Sequence, residues 1–143
     1  MNVRIRRLGP DARLPAYETD GAAAFDLAAS ADVVVGAGAV ALVPTGLVVE
    51  VPAGMFLGIF ARSSTPLKRG LMVANGVGVV DPDYSGPTDE VKIAVLNFTD
   101  GPVTIRRGDR IAQGIFLAAS RVTWVEAEVL REQSRGGFGA TGE

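Results

Sequence analysis

The sequence predicts an all-β domain, a sandwich, jelly roll or barrel, with one short helix and a glycine-rich tail. Three observations lead there. Glycine accounts for 18 of the 143 residues, close to double the average usage of about 7%. With proline it cuts the chain into short runs rich in Val, Ile and Ala, recurring at about 8–12-residue spacing, which favours strands over strand–helix–strand units. No long segment between them holds a 3.6-residue apolar period.

Candidate strands cover residues 2–7, 24–27, 33–35, 39–44, 46–51, 55–60, 77–80, 90–97, 103–105, 110–117 and 122–126. Gly36 and Gly38 break the longest apolar stretch, residues 33–43, which is also too short to span a bilayer. Alternation is clearest over residues 90–97, expected to begin half-exposed and end buried. The one short helix is placed at residues 65–68. Thr65 would cap it and Pro66 would take the first helical position, where its missing N–H costs nothing. After Val129 the apolar pattern stops, and residues 134–142 hold too many glycines for a packed strand. The reading is one domain over residues 1–130 and a mobile arm over 131–143 that carries an aromatic and a cation.

Composition narrows the chemistry. Hydrophobic residues make up 48% of the chain, so it is globular. Cysteine and histidine are both absent. There is thus no disulfide framework, no thiolate metal site, and neither the commonest general base nor the commonest transition-metal ligand. Catalysis must fall to carboxylates, Lys, Tyr, hydroxyls or a hard cation. A net charge of −2 with no long basic run gives no electrostatic case for nucleic acid. Arg4, Arg6 and Arg7 precede no apolar stretch of signal-peptide length. A soluble, intracellular, cytoplasmic protein with no membrane contact is expected.

Four segments stand out chemically. In residues 61–65 a guanidinium (Arg62) and the hydroxyls of Ser63 and Ser64 lead into the helix start, an arrangement suited to phosphates. Taken alone, the segment fits a capped turn with a surface arginine better. Residues 75–86 read as a strand pair bent by glycines, ending in an Asp81-Pro82-Asp83 turn. Such a hairpin can present backbone groups to a flat heterocycle, Asn75 adds an amide, and Asp81 is placed to orient and deprotonate a water. An Asp- and Gly-rich surface turn has the same composition. Gln113 within the apolar run 111–117 is either satisfied by backbone or aimed at a ligand. Asp26, also in an apolar strand, must be paired, hydrated or near a cation.

Taken in order, these segments resemble the trimeric deoxyuridine triphosphatase (dUTPase) family, whose five motifs correspond to residues 23–29, 61–68, 75–86, 108–113 and 135–142. They run almost end to end. The third, with Asn75, Asp81 and Tyr84, and the Gly-Phe-Gly tail are the most specific. The resemblance implies a dUTPase-like jelly-roll or β-barrel (β-clip) fold and a dUTP diphosphatase that keeps uracil out of DNA and supplies dUMP for thymidylate synthesis. It also implies a homotrimer whose active sites are shared between subunits. By matching motifs, Asp81 would activate the attacking water. Asn75 and the backbone of Val79 and Val80 would read the uracil edge, and Tyr84 would exclude a 2′-hydroxyl. Arg62, Ser63, Ser64 and Gln113 would hold phosphates, and Asp26 would bind the waters of a Mg²⁺ carried by the triphosphate. In the tail, Phe138 would stack on uracil while Arg135 and Thr141 engage the outer phosphates.

The pattern departs in places. The family tail reads Arg-Gly-X-Gly-Gly-Phe, whereas Arg135 precedes Phe138 by three positions. Either two residues are lost or Gln133 and Ser134 take the usual Arg and Gly places. Ala140 replaces a common hydroxyl, Ala61 and Ala24 replace Pro and Gly, and residues 87–90 lengthen the loop after Tyr84. The competing readings are a dCTP deaminase on the same fold, a non-catalytic nucleotide-binding regulator, and a ligand-free structural subunit. The deaminase needs a glutamate at the pyrimidine, and Glu50, Glu90, Glu126 and Glu128 all lie outside the site motifs. The other two leave Asp81, or Asp26 and Gln113, without a purpose.

Overall fold

The computed structural model describes residues 1–139. It contains β1 (Ile5–Arg7), β2 (Phe25–Ala28), β3 (Val33–Val35), β4 (Val40–Pro44), β5 (Leu47–Val49), β6 (Met55–Ala61), α1 (Ser64–Arg69), β7 (Leu71–Val73), β8 (Gly78–Val80), β9 (Lys92–Asn97), β10 (Val103–Ile105) and β11 (Arg110–Ala118). All pairings are antiparallel, in a four-stranded sheet β2-β11-β6-β8, a three-stranded sheet β4-β9-β7, and the pairs β1-β5 and β10-β3. The fold is a jelly roll. Each group of strands sends apolar side chains into one core: Leu27, Leu57 and Ile111 from the first sheet, Val43, Leu71, Ile93 and Val95 from the second, and Val35, Leu47 and Ile105 from the pairs.

Strand β9 shows why the sequence was readable. Val91, Ile93, Val95 and Asn97 are buried while the residues between them are half-buried or exposed, the period of two that a one-sided sheet imposes. The alternation therefore persists to the end of the strand instead of giving way to full burial. Asn97 ends in the core because its amide is fully used. It donates to the carbonyls of Val35 (2.9 Å) and Gly101 (2.7 Å) and accepts from the Thr99 N–H (2.9 Å).

Three expectations need correction. Residues 122–126 form no strand; Trp124 is 88% exposed, and no strand of the described residues pairs with this segment. Strand β7 was not foreseen. Its three residues follow the Gly70 that ends the helix, and its pairing with β9 is what makes them a strand. Thr65 does not cap α1 and Pro66 is not its first residue: Ser63 holds the N-cap position with no side-chain bond, and Pro66 is third in the helix. The Thr65 hydroxyl is buried and donates to the Ile111 carbonyl at 2.9 Å, because a buried hydroxyl needs a partner and β11 supplies one.

The far end of α1 is tied to the β10–β11 turn by Arg69 Nη1 and Asp109 Oδ2 at 2.9 Å, and the same oxygen accepts the Arg106 N–H at 2.9 Å. Burial pushes the Asp109 carboxyl up. The Arg69 hydrogen bond and the Arg106 N–H outweigh it and hold the group below its ordinary value. A depressed carboxyl stabilises the fold above its unfolded-state pKa and loses that contribution as pH falls through the folded value. Thermal unfolding followed below about pH 4 is expected to show this loss, and Asp109→Asn should flatten it. The same slope in both proteins would remove Asp109 from the role.

Candidate active site

Two clusters of the singled-out residues emerge. The first lies on the four-stranded sheet, where Asp26 of β2 faces Gln113 of β11, and Gln113 faces Phe60 of β6. The two polar residues that looked out of place in apolar strands are thus cross-strand neighbours. The Asp26 side chain is 11% exposed; its oxygens meet Arg62 Nε at 2.9 Å and Arg110 Nη1 at 3.0 Å. Of the states open to it, ion pairing is what this chain itself supplies. Gln113 donates from Nε2 to the Ala61 carbonyl at 2.9 Å, which seats its side chain beside the end of β6. Arg62 follows immediately, with Ser63 exposed and Ser64 half-buried at the start of α1. The result is a shelf of guanidinium and hydroxyl donors around one carboxylate.

Arg110 was missed by the sequence reading. It also binds Glu18 at 2.7 Å. Its only signal was a place three residues before Gln113, and the register shift between Arg110 and Ala112 is visible only in the pairing with β2.

The second cluster surrounds β8; the expected strand pair over residues 75–86 is not formed, because residues 75–77 are a turn and β8 pairs with β6 instead. Asn75 sits in that turn, Val79 and Val80 in the strand, Asp81 directly after it, and the Tyr84 N–H bonds back to the Asp81 carbonyl at 3.1 Å. A cavity of about 650 Å³ is lined by Asn75, Val79, Val80, Asp81 and Tyr84. Glu90 and Lys92 complete part of its wall, so Glu90 belongs to the pocket although it lies outside every motif. Its carboxylate is engaged: Oε1 accepts the Gly46 N–H at 2.8 Å and Oε2 lies 3.8 Å from Lys92 Nζ.

The clusters do not meet within the chain. In the β6–β8 register Val80 pairs with Leu57, which sets Asp81 level with Phe56, and Arg62 lies six residues further along. At about 3.3 Å per residue the gap is roughly 20 Å. A triphosphate held at Arg62 would have to span that gap to bring its α-phosphorus to Asp81 of the same chain.

The described part of the tail, residues 131–139, lines neither cluster. Arg135 is exposed, and Phe138 is 114% exposed with φ at 50°, in the left-handed region that aromatics rarely adopt. Thr141 lies outside the described residues. Among the described residues no group of three or more Asp or Glu gathers to cage a cation, and no helix is long and apolar enough to cross a membrane.

The family model for dUTPase matches residues 11–142. A deoxyuridine 5′-triphosphate nucleotidohydrolase of Helicobacter pylori is 38% identical over 99% of this chain and 97% of its own length. The crystal structure of a dUTPase from Streptococcus mutans is similar with a TM-score of 0.77 and 35% identity, covering 84% of this chain and 98% of that one. A dUTPase from phage phi11 of S. aureus, 20% identical with a TM-score of 0.82 over 90% of this chain and 98% of that one, shares the fold; its structure describes a structural Mg(II) ion.

Proposed function

The chain belongs to the dUTPase family and is a dUTP diphosphatase, and we propose that it works through a site assembled from more than one copy of itself, with Asp81 as the general base. Water attacks the α-phosphorus of dUTP, Asp81 takes its proton, the bond to the bridging oxygen breaks, and dUMP and pyrophosphate leave. The reaction keeps uracil out of DNA and provides dUMP for thymidylate synthesis. The observation that carries the assembly is the gap of roughly 20 Å between the base and the guanidinium shelf.

In this reading the cavity beside β8 takes the nucleoside. The Asn75 amide and the backbone of Val79 and Val80 pair with the uracil edge, so cytosine would leave buried groups unpaired. Tyr84 packs against the sugar. Arg62, Ser63, Ser64 and Gln113 of a neighbouring copy hold the phosphates, pre-aligned donors being most of what this reaction asks of a protein. One carboxylate, already bonded to two arginines, does not make a cation site by itself. It suits a cation that arrives on the triphosphate, with Asp26 holding its waters. Bound Mg²⁺ would neutralise phosphate charge. The arm, residues 131–143, would close over the filled site with Phe138 on the uracil and Arg135 and Thr141 on the phosphates. A deaminase would need a free glutamate at the pyrimidine, and Glu90, the pocket's glutamate, is tied to Gly46 and Lys92.

A homotrimer fits the exposed apolar surface. Val40 and Met72 flank Leu96 across the three-stranded sheet, with Leu42 and Phe98 nearby, and all but Leu96 are exposed to solvent. Beyond β11, Val122, Trp124, Val125 and Leu130 are likewise uncovered. The nucleotide substrate and the cysteine-free chain fit a cytoplasmic setting.

Complementation tests the shared site. Asp81→Asn and Arg62→Ala chains, each inactive alone, are unfolded, mixed in equal amounts and refolded. Random assortment into closed oligomers should return about a quarter of the sites with both halves intact, and pyrophosphate release should recover in proportion. Two variants that stay as inactive together as apart would show that base and shelf act within one chain.

A further inference from the structure

We propose that Glu90 is a positioning residue for the sugar specificity of this enzyme, bracing Tyr84 against the body of the fold; this rests on the reading of Tyr84 as the residue that excludes a 2′-hydroxyl. The Tyr84 hydroxyl donates to the backbone carbonyl of Glu90 at 3.1 Å. That carbonyl belongs to a residue fixed on its other side. The Glu90 side chain, 18% exposed, accepts the Gly46 N–H at Oε1, 2.8 Å away, in the turn between β4 and β5. Next to it Val91 is pinned twice: its N–H donates to the Leu47 carbonyl (2.8 Å) and its carbonyl accepts the Thr45 hydroxyl (2.5 Å).

The turn that receives Glu90 has no slack. Gly46 has φ of 68°, and a Cβ placed there would stand 2.7 Å from the Ala12 Cβ, so both backbone conformation and space demand glycine. Between Tyr84 and Glu90 the lengthened loop closes on itself, with Asp89 Oδ2 accepting the Gly86 N–H at 2.7 Å. A line of hydrogen bonds therefore runs from the buried β4–β5 turn through Glu90 to the phenol.

Rejection by clash needs a wall that does not yield. Tyr84 is exposed, and without its hydroxyl bond the ring is free to sample other rotamers at small cost. A hydroxyl added to the sugar would then be accommodated by a shifted ring, and selectivity would fall because nothing holds the repulsive contact in place. Glu90 acts on the ratio between deoxyribo- and ribonucleotide, not on the chemical step.

The test is kcat/KM for dUTP divided by that for UTP, measured on full-length protein with Mg²⁺. Glu90→Ala is expected to lower this ratio by about 2- to 10-fold, the range of a single hydrogen bond. Glu90→Gln, whose amide oxygen still reaches Gly46, should keep it. Tyr84→Phe deletes the phenol bond without touching the Gly46 turn and should lower the ratio similarly even if Glu90→Ala does not fold. Tyr84→Ala should lower it most. A ratio unchanged in Glu90→Ala, or in Tyr84→Phe, while Tyr84→Ala collapses it, overturns the bracing role and leaves Tyr84 as the gate. A ratio unchanged in Tyr84→Ala overturns the gate and the bracing role with it.

Discussion

Asp81→Asn is expected to cut turnover of dUTP by about 10²- to 10⁴-fold, the usual contribution of a positioned proton acceptor, while substrate still binds. The argument is one of elimination joined to position. Without histidine or cysteine in the chain, a proton acceptor at neutral pH must be a carboxylate or a deprotonated Lys or Tyr. The pocket is lined by three carboxylates, Asp81, Asp83 and Glu90. Glu90 is occupied by Gly46 and Lys92. Asp81 follows the last residue of β8, so the strand fixes its backbone while its side chain stays exposed to the water it would activate. Asn keeps the size and one oxygen but accepts no proton. The fall should therefore appear in kcat with KM little changed, since the amide removes an interaction made only in the transition state. Single-turnover pyrophosphate release with titrated dUTP separates the two. Turnover near that of the parent protein would shift the base to Asp83.

The parts of the fold that were legible are those set by local pattern. The one-sided strand β9 announces itself by alternation, and glycines and prolines mark most strand ends. Strand β7 and the region 122–126 show the limit. Leu71-Met72-Val73 is a strand because Asn97, Leu96 and Val95 lie opposite it, whereas Val122-Thr123-Trp124-Val125 has the composition of a strand and is paired with no strand among the described residues. Strand formation is a property of pairs, and a single sequence displays only one member at a time. The candidate site divides the same way. Asp26 and Gln113 drew attention because polar groups in apolar strands need partners, and they prove to face each other. Arg110 drew none, and Glu90 was noticed only as a glutamate outside the motifs. Their places follow from a register shift and from a carboxylate that reaches back 44 residues to a turn, and neither is written in local composition. The separation of Asp81 from Arg62 is likewise a consequence of register, invisible until β6 and β8 are paired.

Truncation before Ser134 is expected to lower kcat/KM for dUTP by about 100-fold or more, while the oligomer remains intact. Aromatic stacking on one base is worth ~1–3 kcal/mol, about 5- to 150-fold, and deleting the segment also removes Arg135 and Thr141. The physical case begins with Phe138. A phenylalanine wholly open to water, at φ of 50°, contributes nothing to the fold of its own chain. Glycines at 136, 137 and 139 lower the cost of changing conformation around it, as an element needs if it is to order only when substrate is present. Such an element adds its contacts to the bound state and excludes water from the phosphates, leaving subunit contacts made by the body untouched. Phe138→Ala in the full chain should reproduce the stacking share of the loss. Sedimentation beside a pyrophosphate assay distinguishes the outcomes. Full activity without residues 134–143 would deny the arm a part in closure, and dissociation on truncation would make it a structural tie between copies instead.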